Sequence, residues 1–478
     1  MLTNKKQQRE FKFSPRIINP VRIKKVVIFS ADEQVRKAST TLQEYMPWIE
    51  VEILTNPLSA SNFKSECVSV LLFDDTAMNF VNAENIKKNN KDAILVLLSS
   101  NDLIHRSPPS IAAEKFPYTA KANLIFAINN SVFFPENIIT AVVRCAEDKL
   151  NIEKYSKERR FIFLIVDDEP RWFSQFLPVL YNIIGQRADV MVTRTYEQAL
   201  KFLFDVNHST EINEDYRSRG KGDYVVCLIT DIFFPKNKNL ESDAGRELVS
   251  LVNKYYRRIP IIIASKAKQA DDLKRIAYIM PKGDPGSLET LSSYIHDFTG
   301  MGDFIIRGKS GKEHYRIKHI QELFEIILKA EKSTKKAEKL RQFLETYGQK
   351  DYFSTWLYMH GFRELGDELR PRRDSGQRLV TVLKRYLNRD ILRMEQTPLI
   401  IDGSKIFNLN DLLTVLRTID AVKIQYFSDN DIFSNWLDRK GYPELAEEFR
   451  PIHGSGLALT ENLADIVEKW IKKYQQSL

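Results

Sequence analysis

Phe161-Ile-Phe-Leu-Ile-Val166 runs straight into Asp167-Asp168-Glu169, and the rest of the chain is read from this stretch. Six apolar residues without alternation are too few for a buried helix and suit a parallel strand covered on both faces. A second such run, Val225-Val-Cys-Leu-Ile-Thr230, also stops on an acid, Asp231. Around them the pattern predicts helices over 171–184 and 196–206, a strand at 190–193, a polar loop at 207–222, strands at 260–265 and 277–280, and a helix at 287–298. Strands alternating with helices imply an open parallel sheet with helices on both faces.

Upstream the same rhythm appears once more. Strands are predicted at 25–30, 51–55, 68–73, 93–99 and 123–129, with helices over 32–45 and 134–150. Residues 146–160 (AEDKLNIEKYSKERR) read as a charged helical connector. The predicted class is α/β: two doubly wound parallel-sheet domains, 25–145 and 161–300, after a basic tail at 1–24.

From 301 the strand signal fades into helix, and the chain repeats itself at a constant offset of 80 residues. Asp351-Tyr-Phe-Ser-Thr-Trp-Leu357 matches Asp431-Ile-Phe-Ser-Asn-Trp-Leu437, Gly361-Phe-Arg-Glu-Leu365 matches Gly441-Tyr-Pro-Glu-Leu445, and Glu368-Leu-Arg-Pro371 matches Glu448-Phe-Arg-Pro451. Ile305-Ile-Arg-Gly308 echoes Ile400-Ile-Asp-Gly403 upstream. A mainly α-helical tandem repeat is expected, with copies at 301–395 and 396–478. Phe353/Phe433, Trp356/Trp436 and Leu357/Leu437 fall at i, i+3, i+4 and read as the core stripe of each copy. Arg370 and Arg450 either meet an anion or pair with Glu364, Glu368, Glu444 or Glu448.

Composition narrows the classes. Hydrophobic residues make up 43% and charged residues 28%, with three dispersed cysteines, which excludes disordered and disulfide-scaffold proteins. No apolar run approaches a membrane span and the first residues carry no apolar leader, so a cytoplasmic location is expected. The net charge is +8, but eight basic residues against one acid lie within residues 1–25. The body is therefore nearly neutral and shows no basic recognition helix, so no DNA-binding domain is evident.

The acids at strand ends carry the chemistry. In a doubly wound sheet the carboxyl ends of strands form the ligand-binding edge. If the first and third strands are neighbours, Asp167, Asp168 and Asp231 converge there. Packed carboxylates repel, and a hard divalent cation such as Mg²⁺ relieves that repulsion. A phosphoryl group on Asp231 would further need a hydroxyl and a second cation, and the next two strands end at Ser265 and Lys282.

Across 160–300 these residues resemble the receiver domain of two-component response regulators, a flavodoxin-like fold. The resemblance implies that Asp167 and Asp168 bind the metal with Asp231 and the Phe233 backbone carbonyl. It makes Asp231 the phosphoacceptor, Ser265 the switch hydroxyl and Lys282 the phosphate-contacting lysine, with Pro235 and Gly245 in the loop after the phosphoacceptor. The chain departs from the family at Ile279, where an aromatic switch residue is expected (Tyr278 lies one position off). Pro281 also precedes the lysine instead of following it.

The first unit resembles a degenerate receiver. Ser30 and Ala31 replace the acidic pair, Asp74 and Ser99 keep the phosphoacceptor and hydroxyl positions, and Asn129 replaces the lysine. It is read as a docking or dimerisation unit, which leaves a homodimer open. The stretch 300–390 is similar to a module that follows receivers in bacterial phosphoenolpyruvate-synthase-like proteins, a resemblance that implies association with such signalling systems and not phosphoenolpyruvate chemistry.

The function expected is a response regulator rather than an enzyme, phosphorylated by a histidine kinase or phosphotransfer protein and acting on a downstream protein through 301–478. The alternative is a scaffold that works without phosphorylation. An aspartyl phosphatase would need an acid two residues past the nucleophile, where Phe233 stands.

Overall fold

The computed structural model describes residues 21–476 apart from 34, 36, 38–41, 43–48, 57–63, 65–68, 76, 78–82, 91–92, 108, 128–134, 155–160, 186, 214–218, 238, 242, 257–258, 266–271, 285, 309–311, 371, 431, 451 and 453–455. The predicted helix over 32–45, Asn129, most of the basic tail and the end of the connector thus lie largely outside the described residues.

The first unit forms a sheet of five parallel strands, β1 (Lys25–Phe29), β2 (Glu50–Leu54), β3 (Ser69–Asp74), β4 (Ile94–Ser99) and β5 (Leu124–Ala127), ordered β2-β1-β3-β4-β5. The second unit has β6 (Ile162–Val166), β7 (Asp189–Thr193) and β8 (Val225–Thr230). A short antiparallel ribbon follows, β9 (Phe234–Lys236) with β10 (Asn239–Glu241), and then β11 (Ile261–Ser265) and β12 (Tyr278–Pro281). Its sheet is ordered β12-β11-β8-β6-β7, all parallel. Both sheets share one succession, second-first-third-fourth-fifth.

Strand β6 shows why its sequence lacks alternation. Phe163 and Ile165 enter one apolar core and Leu164 and Val166 enter the core on the opposite face. The helix Pro135–Lys154 lies between the two units. Ile138, Val142 and Ala146 join a single core that holds Val26 and Ile28 of the first sheet, Phe163 of the second and Leu180 of the helix Phe176–Ile184. The predicted helix over 171–184 is two helices, Pro170–Phe173 and Phe176–Ile184. Pro178 has no N–H to give to the carbonyl four residues back, at Ser174, and the ladder breaks there.

The C-terminal half is not purely helical. Residues 301–396 hold a hairpin, β13 (Phe304–Arg307) with β14 (Glu313–Ile317), and then five helices: Ile320–Glu331, Lys335–Gln349, Tyr352–Met359, Arg363–Leu369 and Gly376–Gln396. Residues 399–476 hold β15 (Leu399–Ile401) with β16 (Ser404–Ile406) and five helices in the same succession, ending with Gly456–Gln476. Asp402 and Gly403 both have positive φ, 51° and 80°, as a two-residue hairpin turn requires. Phe353, Trp356 and Leu357 sit in one core and Phe433, Trp436 and Leu437 in another. Arg370 and Arg450 pair with Asp367 and Glu447, one position from the partners expected.

Candidate functional site

The second sheet gathers its chemistry through register. Val166 of β6 is level with Thr230 of β8, so the next residues, Asp167 and Asp231, leave adjacent strands at one height. The ladder continues past the strand ends: the Asp231 N–H donates to the Val166 carbonyl at 3.0 Å, and the Asp167 N–H to the Thr193 carbonyl at 3.1 Å. On the other side Ser265 of β11 pairs with Pro281 of β12. The Lys282 N–H then donates to the Ser265 carbonyl at 3.0 Å.

Lys282 ends up at the centre. Its ammonium lies 2.5 Å from Asp167 Oδ2 and 2.6 Å from Asp231 Oδ2, with its side chain 1% exposed and those acids 2% and 14%. Burial disfavours the ammonium, but Asp167 and Asp231 outweigh that and hold its pKa above the ordinary value. Burial pushes Asp167 up to about 6, with Lys282 opposing and Asp231 adding to the rise. Asp168, partly buried beside them, is pushed up to about 7 by burial and then by Asp167 and Glu169. Ser265 is buried where its strand ends. Phe233 follows in the loop before the β9–β10 ribbon, partly buried.

What gathers here is a pair of carboxylates around an ammonium, with Asp168 alongside. Among the described residues no group of three or more His, Cys, Asp or Glu side chains stands arranged to hold a metal ion, and Lys282 contacts both Asp167 and Asp231. The donor chemistry nonetheless suits a hard divalent cation. The available side-chain atoms of Asp167, Asp168 and Asp231 are all oxygens, and three acids stand beside one ammonium.

Two arginines that sequence reasoning missed frame the acidic loop. Arg171, 5% exposed, pairs with Glu169 at 2.8 Å and donates to the carbonyls of Ile104 and Ser107 in the first unit. Arg194, directly after β7, donates to the Asn123 carbonyl at 2.7 Å just before β5. Burial lowers its pKa, while Asp168 and Asp167 oppose that shift. The N-terminal sheet is thereby fastened to the loop bearing the acids. Arg194 follows a strand as Asp167 and Asp231 do, so the same strand-end rule finds it.

Gly245 sets the floor under Asp231. A Cβ there would press on the Asp231 carbonyl oxygen and lie 2.5 Å from Ile232 Cα. Gly245→Ala is therefore expected to lower stability by about 1–3 kcal/mol through overpacking and to shift the Asp231 backbone. Urea unfolding with an unchanged midpoint would refute this.

The corresponding site of the first sheet is closed. Ser30 donates its hydroxyl to Asp74 Oδ2 at 2.6 Å, and the Ala77 N–H donates to Asp74 Oδ1 at 2.7 Å. Both oxygens of Asp74 are thus engaged by its own surroundings, with serine standing where an acid would have repelled it.

Comparison with known proteins adds little to this geometry. No family model matches the chain, and no curated protein matches it. One solved structure, described as a two-component system response regulator/GGDEF domain protein, is similar over 57% of this chain and 98% of its own, at 15% identity and a TM-score of 0.29. That likeness is too distant to carry an argument about fold or function, which therefore rests on the strand-end cluster itself.

Proposed function

We propose that the second α/β unit is a flavodoxin-like receiver that accepts a phosphoryl group on Asp231. The observation that supports this most directly is the buried lysine ammonium clasped by carboxylates from two separate strand ends. An Asp231 oxygen attacks the phosphorus of a phosphohistidine on a histidine kinase or phosphotransfer protein. The phosphorus–nitrogen bond breaks, the imidazole leaves and takes a proton, and an acyl phosphate remains. Lys282 changes from partner of a carboxylate to partner of a phosphoryl oxygen, while Ser265, at the end of β11, supplies a hydroxyl. Asp167, Asp168, Asp231 and the Phe233 carbonyl would hold Mg²⁺, which when bound supplies charge neutralisation for the transferring phosphoryl oxygens.

The output passes to the C-terminal half, read as two copies of one helical interaction module engaging a downstream protein. The first unit serves as a pseudo-receiver, since Asp74 already has its hydrogen bonds.

Incubation with acetyl phosphate and Mg²⁺ is expected to add one hydroxylamine-labile phosphoryl group to the wild type and none to Asp231→Asn, as read by intact mass. Equal labelling of both proteins, or none of either, overturns the reading.

One feature favours the scaffold alternative. Tyr278 stacks on Phe298 at 3.6 Å between centroids, and Phe298 meets Tyr352 edge-on at 5.7 Å. The last strand and helix of the sheet are thus locked onto the first helical module. Partner binding unaffected by Asp231→Asn would select the scaffold.

A further inference from the structure

Of the differences between the two helical modules, those at Gly302/Thr397 and Phe304/Leu399 border a cleft. In the first, the Trp356 indole N–H donates to the Gly302 carbonyl at 3.0 Å, and Phe304 packs edge-on against the same ring at 5.8 Å. The segment leading into the hairpin is thereby shut against the tryptophan helix. Thr397 precedes Ile400 by the same three residues that separate Gly302 from Ile305, and Leu399 stands where Phe304 does. Leucine is the smaller, and here the segment and the helix stand apart. They bound a cleft of about 850 Å³, within the range of small-ligand sites. Trp436 lines it, and its buried indole N–H has no hydrogen-bond partner among the described residues. Such an orphan donor is costly unless an acceptor reaches it.

The remaining walls specify the ligand's chemistry. Both acids at the cleft are already engaged, Glu364 by Arg393 at 3.0 Å and Asp390 by Arg389 at 2.6 Å. Arg439 lies over the Phe362 ring at 5.8 Å, and Lys440 donates to the Met394 carbonyl at 2.7 Å. Neither makes an ion pair among the described residues. Leu399, Met394 and the 55% exposed Ile400 add apolar wall.

We propose that this cleft binds a small amphipathic anion, an apolar or aromatic body bearing a carboxylate. The carboxylate accepts hydrogen bonds from Arg439 and Lys440, an acceptor atom meets the Trp436 indole, and the body lies along Phe362 and Leu399. The site is independent of phosphorylation at Asp231.

The test uses the full chain labelled with ¹⁵N-tryptophan, with the Trp436 indole signal assigned by Trp436→Phe. 1-Naphthoate is the probe and neutral 1-naphthalenemethanol its control. Naphthoate is expected to shift the Trp436 indole saturably while the alcohol does not. Arg439→Gln with Lys440→Gln is expected to weaken binding about tenfold or more. Ile400→Glu, a rim change that spares the core, is expected to weaken it as well, and Asp231→Asn to leave it unchanged. No Trp436 shift at millimolar naphthoate, equal binding of the alcohol, undiminished binding by the charge variants, or response to an acidic peptide alone would each overturn the proposal.

Discussion

Lys282→Met is expected to destabilise the protein by about 3–5 kcal/mol and to abolish phosphoryl transfer to Asp231. The lysine side chain is 1% exposed and touches two carboxylates, one of them 2% exposed. Methionine matches its volume and keeps the packing of the stem, so the loss is electrostatic. Two acids would remain face to face in a site that water barely reaches, the uncompensated case in which breaking a buried pair is most costly. Part of the penalty would be escaped by protonation, since burial already raises Asp167 to about 6.

Adding Asp167→Asn to Lys282→Met removes one of the stranded charges and is expected to recover more than half of the lost stability while leaving phosphorylation absent. Denaturant unfolding of the two single variants and the double variant measures this. If the single variant loses less than about 1 kcal/mol, the clasp contributes little and the electrostatic account of the site fails.

The sheets and their acidic edge were legible because the physics that makes them is local. A strand buried on both faces must be apolar throughout, as in 161–166 and 225–230, and its end is marked where charge begins. Strand order was not readable in the same way, because the pairing Val166↔Thr230 is a contact between residues far apart in sequence. The resemblance made Lys282 a phosphate contact; the structure shows it in the gap between two acids, which the sequence did not indicate. That depends on the reach of a flexible four-carbon stem, which no spacing encodes. The hairpin at 399–406 has strands of only three residues each, too short to stand out, and β14 of the hairpin at 304–317 is polar (Glu313-His-Tyr-Arg-Ile317). Asp402-Gly403 nonetheless carried the turn signal in plain sight. Arg171 and Arg194 also donate to backbone carbonyls of another unit, contacts that no motif encodes, although the strand-end position of Arg194 was readable. Asn129 lies outside the described residues, so the lysine-equivalent position of the first unit has no structural reading.

The second large effect is expected at Arg187, which follows the helix Phe176–Ile184. Its guanidinium bonds Asp438 at 2.8 Å and Glu447 at 3.1 Å, fastening the second helical module to the second sheet. Arg187 is 10% exposed, Asp438 4% and Glu447 32%. The Asp438 contact therefore dominates and the Glu447 contact is discounted for solvent. Arg187→Ala leaves the Asp438 carboxylate buried without a cation and is expected to cost about 3 kcal/mol of docking. Small-angle scattering should then show an expanded chain, and trypsin should cut between the modules. Asp438→Asn in the same background is expected to restore part of the loss, a coupling that a double-mutant cycle reads directly.

The same contact governs acid sensitivity. His360 is pushed from an ordinary 6.5 down to about 4, by burial first and then by Arg187. A histidine whose pKa is lowered on folding takes up its proton more readily when unfolded. Its contribution is therefore complete above pH 6.5 and is lost as pH falls from 6.5 toward 4. By pH 5 that amounts to about 1–2 kcal/mol. Without Arg187, His360 would titrate higher, beside a stranded Asp438, and the variant should lose less stability than the wild type over that interval. Parallel pH–stability curves for the two proteins would show that Arg187 does not act on His360, and unchanged scattering would show that the clamp does not hold the modules together.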